Sequence, residues 1–210
     1  MLIETFVLGD FQANCYCVRA DAAQKDCILI DPGQHPFSMI QRLQHSHLNP
    51  TAVILTHGHI DHIGGVEMVR EQWPEIQVYI HKTDAAMLTD PDENLSMLAG
   101  TIFQARPAEK ILAGETQIEV AGLQFKIFHT PGHTPGGMCL YNAAEGIVFA
   151  GDTLFAGSVG RSDFPGGDYE QLIHGIKTKL LTLPDITKVY PGHGPATTIR
   201  NEKRHNPFLS

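Results

Sequence analysis

Four side chains suited to binding a metal occupy six consecutive positions of this chain, in Thr56-His57-Gly58-His59-Ile60-Asp61-His62. An apolar run, Ala52-Val53-Ile54-Leu55, leads into the cluster and Gly64-Gly65 follows it. The run reads as a buried strand, so the cluster stands at a strand mouth. Two histidines one residue apart can turn toward a common point only where the backbone is a loop or a strand end. Asp61 and His62 come next, at the start of the following turn, and reach toward a second point nearby. Neutral imidazole and carboxylate are ligands for Zn²⁺, Mn²⁺ or Fe²⁺. The competing interpretation is a histidine-rich surface loop that holds no metal.

Three further stretches repeat this pattern of an apolar run ending in a polar residue beside glycine. They are His129-Thr130-Pro131-Gly132-His133-Thr134-Pro135, Val148-Phe149-Ala150-Gly151-Asp152-Thr153 and Val189-Tyr190-Pro191-Gly192-His193-Gly194-Pro195. Glycine lets backbone and side chain approach a shared centre. Each alone reads as a turn. With the first cluster they supply five histidines and two aspartates, enough for two ions at three ligands each plus one shared carboxylate. Asp31, in Cys27-Ile28-Leu29-Ile30-Asp31-Pro32-Gly33, is either turn chemistry or an acid placed behind the histidines.

The order of elements predicts strands over 2–8, 14–20 and 26–31, a helix from 37 to 48 closed by Asn49-Pro50, and strand 52–55. A helix over 64–72 and strand 77–80 complete an α/β half. Residues 82–106 are irregular, either a lid or a surface excursion. Strands follow over 116–120, 123–128, 138–141 and 147–150, then a helix over 169–181 with Leu172, Ile173, Ile176 and Leu180 at core spacing, then strand 187–190. The chain thus reads as two similar halves.

A length of 210 residues is that of one domain, here 1–210. The net charge of −8 argues against a surface that tracks nucleic-acid phosphates, and no apolar run is long enough to span a membrane. Met1-Leu2-Ile3-Glu4 lacks the positive start of a secretory signal, which predicts a cytoplasmic location by default. Cys15 and Cys17 share one face of a predicted strand, which is poor geometry for a disulfide. With Cys27 and Cys139 they are expected to be ordinary core residues.

The set His57, His59, Asp61, His62, His133, Asp152, His193 resembles the signature of the metallo-β-lactamase-fold superfamily. Within it, the chain is similar to the short bacterial glyoxalase II-like (hydroxyacylglutathione hydrolase-related) enzymes. Leu29-Ile30-Asp31-Pro32-Gly33, Pro131-Gly132-His133-Thr134-Pro135-Gly136 and Gly160-Arg161-Ser162-Asp163-Phe164-Pro165-Gly166-Gly167 carry the likeness. The resemblance implies an α/β four-layer αβ/βα sandwich with metals at one edge of two sheets. It puts His57, His59 and His133 on one ion, Asp61, His62 and His193 on a second, Asp152 between them and Asp31 behind. The implied cofactors are two divalent ions, zinc first, with iron or manganese as other occupants of the same donor set.

The implied activity is hydrolysis of a small-molecule thioester such as S-lactoylglutathione. A hydroxide shared by the two ions would attack the carbonyl, with Asp61 orienting it as the catalytic residue and no Ser or Cys nucleophile needed. Arg161 is expected either to bind a substrate carboxylate or to pair with Asp163 or Asp168. Glutathione-thioester hydrolases carry a helical C-terminal domain with cationic contacts, whereas here seventeen residues follow His193. Their aromatic residue after the last metal histidine is also unmatched, since Gly194-Pro195 stands there. A second reading is a persulfide dioxygenase of the same fold, with one Fe²⁺ on His59, His133 and Asp152. A lactonase, a nuclease or a non-catalytic metal protein are further readings; the nuclease would require basic surface that this composition does not offer.

Overall fold

The structure is a computed structural model that describes residues 1–209. Two six-stranded sheets form its centre. In the first, β1 (Leu2–Leu8), β2 (Ala13–Arg19), β3 (Asp26–Ile30), β4 (Asn49–Ile54), β5 (Gln77–His81) and β6 (Lys110–Leu112) lie in chain order. The second contains β7 (Thr116–Val120), β8 (Leu123–His129), β9 (Met138–Asn142), β10 (Ile147–Gly151), β13 (Lys188–Pro191) and β14 (Thr197–Thr198), in the order 14-13-10-9-8-7. A small hairpin, β11 (Leu154–Phe155) and β12 (Ser158–Val159), stands apart.

Strand alternation sorts the side chains into three apolar layers. Tyr16, Val18, Ile28, Ile30, Ala52 and Ile54 face Phe125, Ile127, Met138, Leu140 and Phe149, which joins sheet to sheet. The opposite parity of the first sheet, Cys15, Cys17, Cys27, Leu29, Val53 and Leu55, packs on α1 (Phe37–His45) and α3 (Val66–Gln72) through Met39, Leu43, Val66 and Val69. On the far side Phe128, Cys139, Val148, Ala150 and Val189 pack on α4 (Tyr169–Gly175) and α5 (Ile199–His205) through Leu172 and Ile199. Three cores between four layers make the αβ/βα sandwich. All four cysteines are buried and free, so they act as small apolar residues.

Strand direction sets the site edge. β3, β4 and β5 run parallel, so their C-terminal ends share one edge. β8 and β10 are both antiparallel to β9, and β13 is parallel to β10, so the ends of β8, β10 and β13 also lie together. The start of β2 closes this edge: Asn14 N–H donates to Gly192 O at 2.7 Å, the Asn14 amide donates to Pro191 O and Gly194 O, and Tyr16 O–H donates to Pro191 O at 2.6 Å.

Several boundaries differ from those the sequence predicts. α1 stops at His45, and β4 begins at Asn49 and runs through Pro50. A central strand tolerates this proline because the register between β3 and β4 shifts there, pairing Cys27 with Pro50 and Ile28 with Ala52. The helix expected over 64–72 is found as α3, starting after Gly65, and a short helix not expected from the sequence, α2 (Ile60–Ile63), precedes it inside the histidine cluster. The 169–181 helix becomes α4 followed by a π-helical turn, Ile176–Leu180.

Candidate metal centre

Every member of the predicted set comes from the shared edge. His57 and His59 follow β4, Asp61 and His62 lie on α2, His133 follows β8, Asp152 follows β10 and His193 follows β13. They gather into two groups of three, His57–His59–His133 and Asp61–His62–His193, each with ligand atoms within 4.8 Å of one another. Asp152 reaches both groups: Oδ2 lies 3.5 Å from His133 Nε2 and 3.6 Å from His193 Nε2, and Oδ1 lies 3.4 Å from His62 Nε2.

Hydrogen bonds behind the ligands aim the rings. His62 Nδ1 lies 3.0 Å from Asp31 Oδ2, and His133 Nδ1 lies 2.7 Å from the Arg161 carbonyl. Both acceptors require Nδ1–H, so that in the neutral ring each Nε2 lone pair faces the centre. Thr56 O–H donates to Asp31 Oδ2 at 2.6 Å, so its oxygen accepts from His57 Nδ1 at 3.1 Å and the His57 Nε2 is likewise a lone pair. Asp31, Asp152 and the histidines can be tested as an ion site by asking what they leave unpaired. Of three buried side-chain polar atoms without a hydrogen-bond partner among the described residues, two are His57 Nε2 and Asp152 Oδ1. Unpaired buried lone pairs are costly and call for a bound partner, and here that partner has the chemistry of a cation. The residues therefore fit divalent ions.

Asp31 also lies near His57 and His62, a third possible donor group. Its oxygens are already engaged: Oδ1 accepts from Thr56 N–H at 2.7 Å and Oδ2 from Thr56 O–H and His62. It holds His62 directly, and His57 through Thr56, from behind. Its φ of +53° lies in the left-handed region, which Asp and Asn adopt more readily than other side chains.

Electrostatics match a site built for cations. Burial, then the neighbouring histidines, push the His57 imidazole well below its ordinary range and His59 to about 3. Burial would raise the Asp61 carboxyl, but His62 and His193 outweigh it and hold Asp61 below the carboxylate range. His62 and His193 go the other way. Burial lowers His62, yet Asp61, Asp152 and Asp31 together lift it to about 10.

Asp84 went unrecognised in the sequence. Fully buried after β5, it accepts from Gly58 N–H at 3.2 Å, Thr134 O–H at 2.7 Å and Gly136 N–H at 2.5 Å. It therefore ties the His57–His59 loop to the His133 loop. A Cβ on Gly136 would run into this carboxylate, the one sequence trace of the contact. Arg161 adopts the pairing alternative: Nε and Nη2 each lie 2.7 Å from Asp163, and the guanidinium sits 3.8 Å over the Phe164 ring. Asp168 instead caps α4 through Gln171 N–H.

Residues 8–193 match the family described as the metallo-beta-lactamase superfamily. The chain belongs to that superfamily. Relatives of this metallo-beta-lactamase-fold chain include the probable metallo-hydrolase YqgX of Bacillus subtilis (strain 168), 39% identical over 97% of this chain and 95% of that one. The hydroxyacylglutathione hydrolase GloC of Haemophilus influenzae is 37% identical over 100% and 99% of the two chains. Among solved structures, BLEG-1 B3 metallo-beta-lactamase superposes with a TM-score of 0.94 at 41% identity over the whole of both chains. TTHA1623, in a di-iron-bound form, gives a TM-score of 0.84 at 38% identity over 98% of this chain and 100% of that one. The chain is thus similar throughout to metallo-hydrolases.

Proposed function

We propose that this protein is a thioester hydrolase working with two divalent ions, zinc first and iron or manganese as alternatives. In this proposal His57, His59 and His133 hold one ion, Asp61, His62 and His193 hold the other, and Asp152 lies between them. One observation carries the reading: two three-residue donor groups meet across Asp152 in a cleft whose described lining contains no Ser, Thr or Cys. With no hydroxyl or thiol nucleophile in the lining, water is the source of the attacking oxygen in this reading. Bound divalent ions supply the chemistry that makes water nucleophilic near neutral pH and polarises a carbonyl. Asp61, held ionised, orients that water by accepting a hydrogen bond. The thiolate of a thioester departs without an acid, so the absence of a proton donor among the cleft's neutral side chains does not impede it. The likeness to GloC supports the substrate class.

The experiment is metal analysis of protein purified without added metal, alongside hydrolysis of S-lactoylglutathione under anaerobic conditions. About two ions per chain and oxygen-independent thioester cleavage are expected. One iron per chain with oxygen uptake on adding glutathione persulfide would replace this reading with the dioxygenase. Cleavage of a β-lactam but of no thioester would replace it with the chemistry named for BLEG-1.

A further inference from the structure

The cleft above the two donor groups has a volume of about 490 Å³ and walls that are mostly hydrocarbon. Three separate segments supply them: Phe11 from the β1–β2 turn, Leu95 and Leu98 from residues 82–106, and Phe155, Val159 and Phe164 from the stretch after Asp152. Phe11 is 54% exposed and Leu98 72% exposed, so a large apolar surface stands open beside the reactive centre. Ligand pockets gain affinity by covering such surface.

The 82–106 stretch is firmly built. Buried Asn94 donates to Met87 O and Phe103 O, accepts from Ser96 N–H, and its carbonyl accepts from Ile60 N–H in α2. Leu95 and Leu98 are therefore presented from a fixed support tied to the metal loop, which lowers the ordering cost of binding.

Charge points the same way. Among the described residues lining the cleft, Arg161 is the only Lys or Arg, and its Nε and Nη2 are already paired with Asp163. A substrate carboxylate there would compete with Asp163 for the same guanidinium. Glutathione brings two carboxylates to a lining whose one cation is already paired.

We infer that this cleft selects thioesters with an uncharged aliphatic acyl chain of medium length, and that it gives no preference to a glutathione thiol. The inference rests on the thioesterase reading and names the substrate class of the same site.

The test is a chain-length series, acetyl to butanoyl to hexanoyl, made as thioesters of neutral N-acetylcysteamine and again as thioesters of glutathione. In the cysteamine series kcat/KM is expected to rise about two- to fourfold per methylene. For any one acyl group the two thiols are expected to agree within about fourfold, the order of a single buried methylene. Leu98→Asp, at an exposed position, should flatten the hexanoyl-to-acetyl ratio toward unity. A merely structural lesion would lower both rates and leave that ratio standing. A flat series, an unchanged ratio in Leu98→Asp, or a tenfold or greater preference for glutathione overturns the inference. Binding of the matching non-hydrolysable S-alkyl thioethers by calorimetry keeps the two readings apart. Tightening with chain length but no thioester turnover sinks the thioesterase and keeps the apolar cleft, whereas turnover without tightening or slope does the reverse.

Discussion

At the scale of single residues, Asp31 is a buried acid whose oxygens serve the candidate ligands from behind. It accepts from Thr56 N–H, Thr56 O–H and His62 Nδ1. Asp31→Asn keeps the size and tolerates the left-handed backbone, but its amide N–H₂ must face one of those donors. The expected result is metal affinity lowered about 10–100-fold, read by competition with a chromophoric chelator. Unchanged affinity would show that the bond to His62 does not orient it. The gathered donors were legible because four fall within six positions after one apolar run and the other three, His133, Asp152 and His193, each stand beside glycine after a strand. Asp84, Asn14 and Tyr16 were not. Their work is done on backbone groups far along the chain, Asn14 on Pro191 and Asp84 on Gly136, and no local spacing records such partners.

At the scale of elements, long strands and amphipathic helices were readable while short ones were not. β6, β11, β12 and β14 have two or three residues each, too few for a period to show. Pro50 reads as a break from the sequence alone, because the register shift that admits it belongs to the pairing with β3. One inter-sheet link at this scale has a measurable consequence. His81, ending β5, stacks on His129, ending β8, with centroids 4.0 Å apart and rings 15° from parallel. Gly114 N–H donates to His81 Nε2 at 3.1 Å, so the ring must be neutral. Burial, then His129 and Lys82, lower it to about 4. The unfolded chain binds this proton below about 6.5 and the folded one only below about 4. Stability is therefore present above about 6.5 and is lost as pH falls toward about 4. Urea unfolding at pH 7 and pH 5 should show a smaller loss in His81→Gln than in the unaltered protein. Equal losses would mean that this ring carries none of the dependence.

At the scale of the whole molecule, the candidate ligands are divided between the two sheets. His57, His59, Asp61 and His62 follow the first sheet's β4, while His133, Asp152 and His193 follow strands of the second. Ions bound there would join the sheets at one edge, adding to the apolar layer between them. Binding to the folded state alone contributes about 2.7 kcal/mol at a hundred times Kd. For a chain of this size, stripping metal with a chelator is expected to lower Tm by about 5–10 °C, restored by adding the ion back. A Tm indifferent to chelation would argue against bound ions spanning the sheets. The four-layer arrangement could be anticipated only through the family likeness. The three apolar layers follow from strand parity, but which strand neighbours which depends on contacts across the full length.

The staple between Asn14 and the loop carrying His193 bears on the order in which the protein matures. During synthesis, the strands bearing His57, His59 and His133 leave the ribosome well before residue 193 does. Half of the donor set can therefore gather on a nascent chain, while the other half waits for β13 to find β2. Completion of the candidate centre is then a late event, reached only when two strands made far apart in time have met.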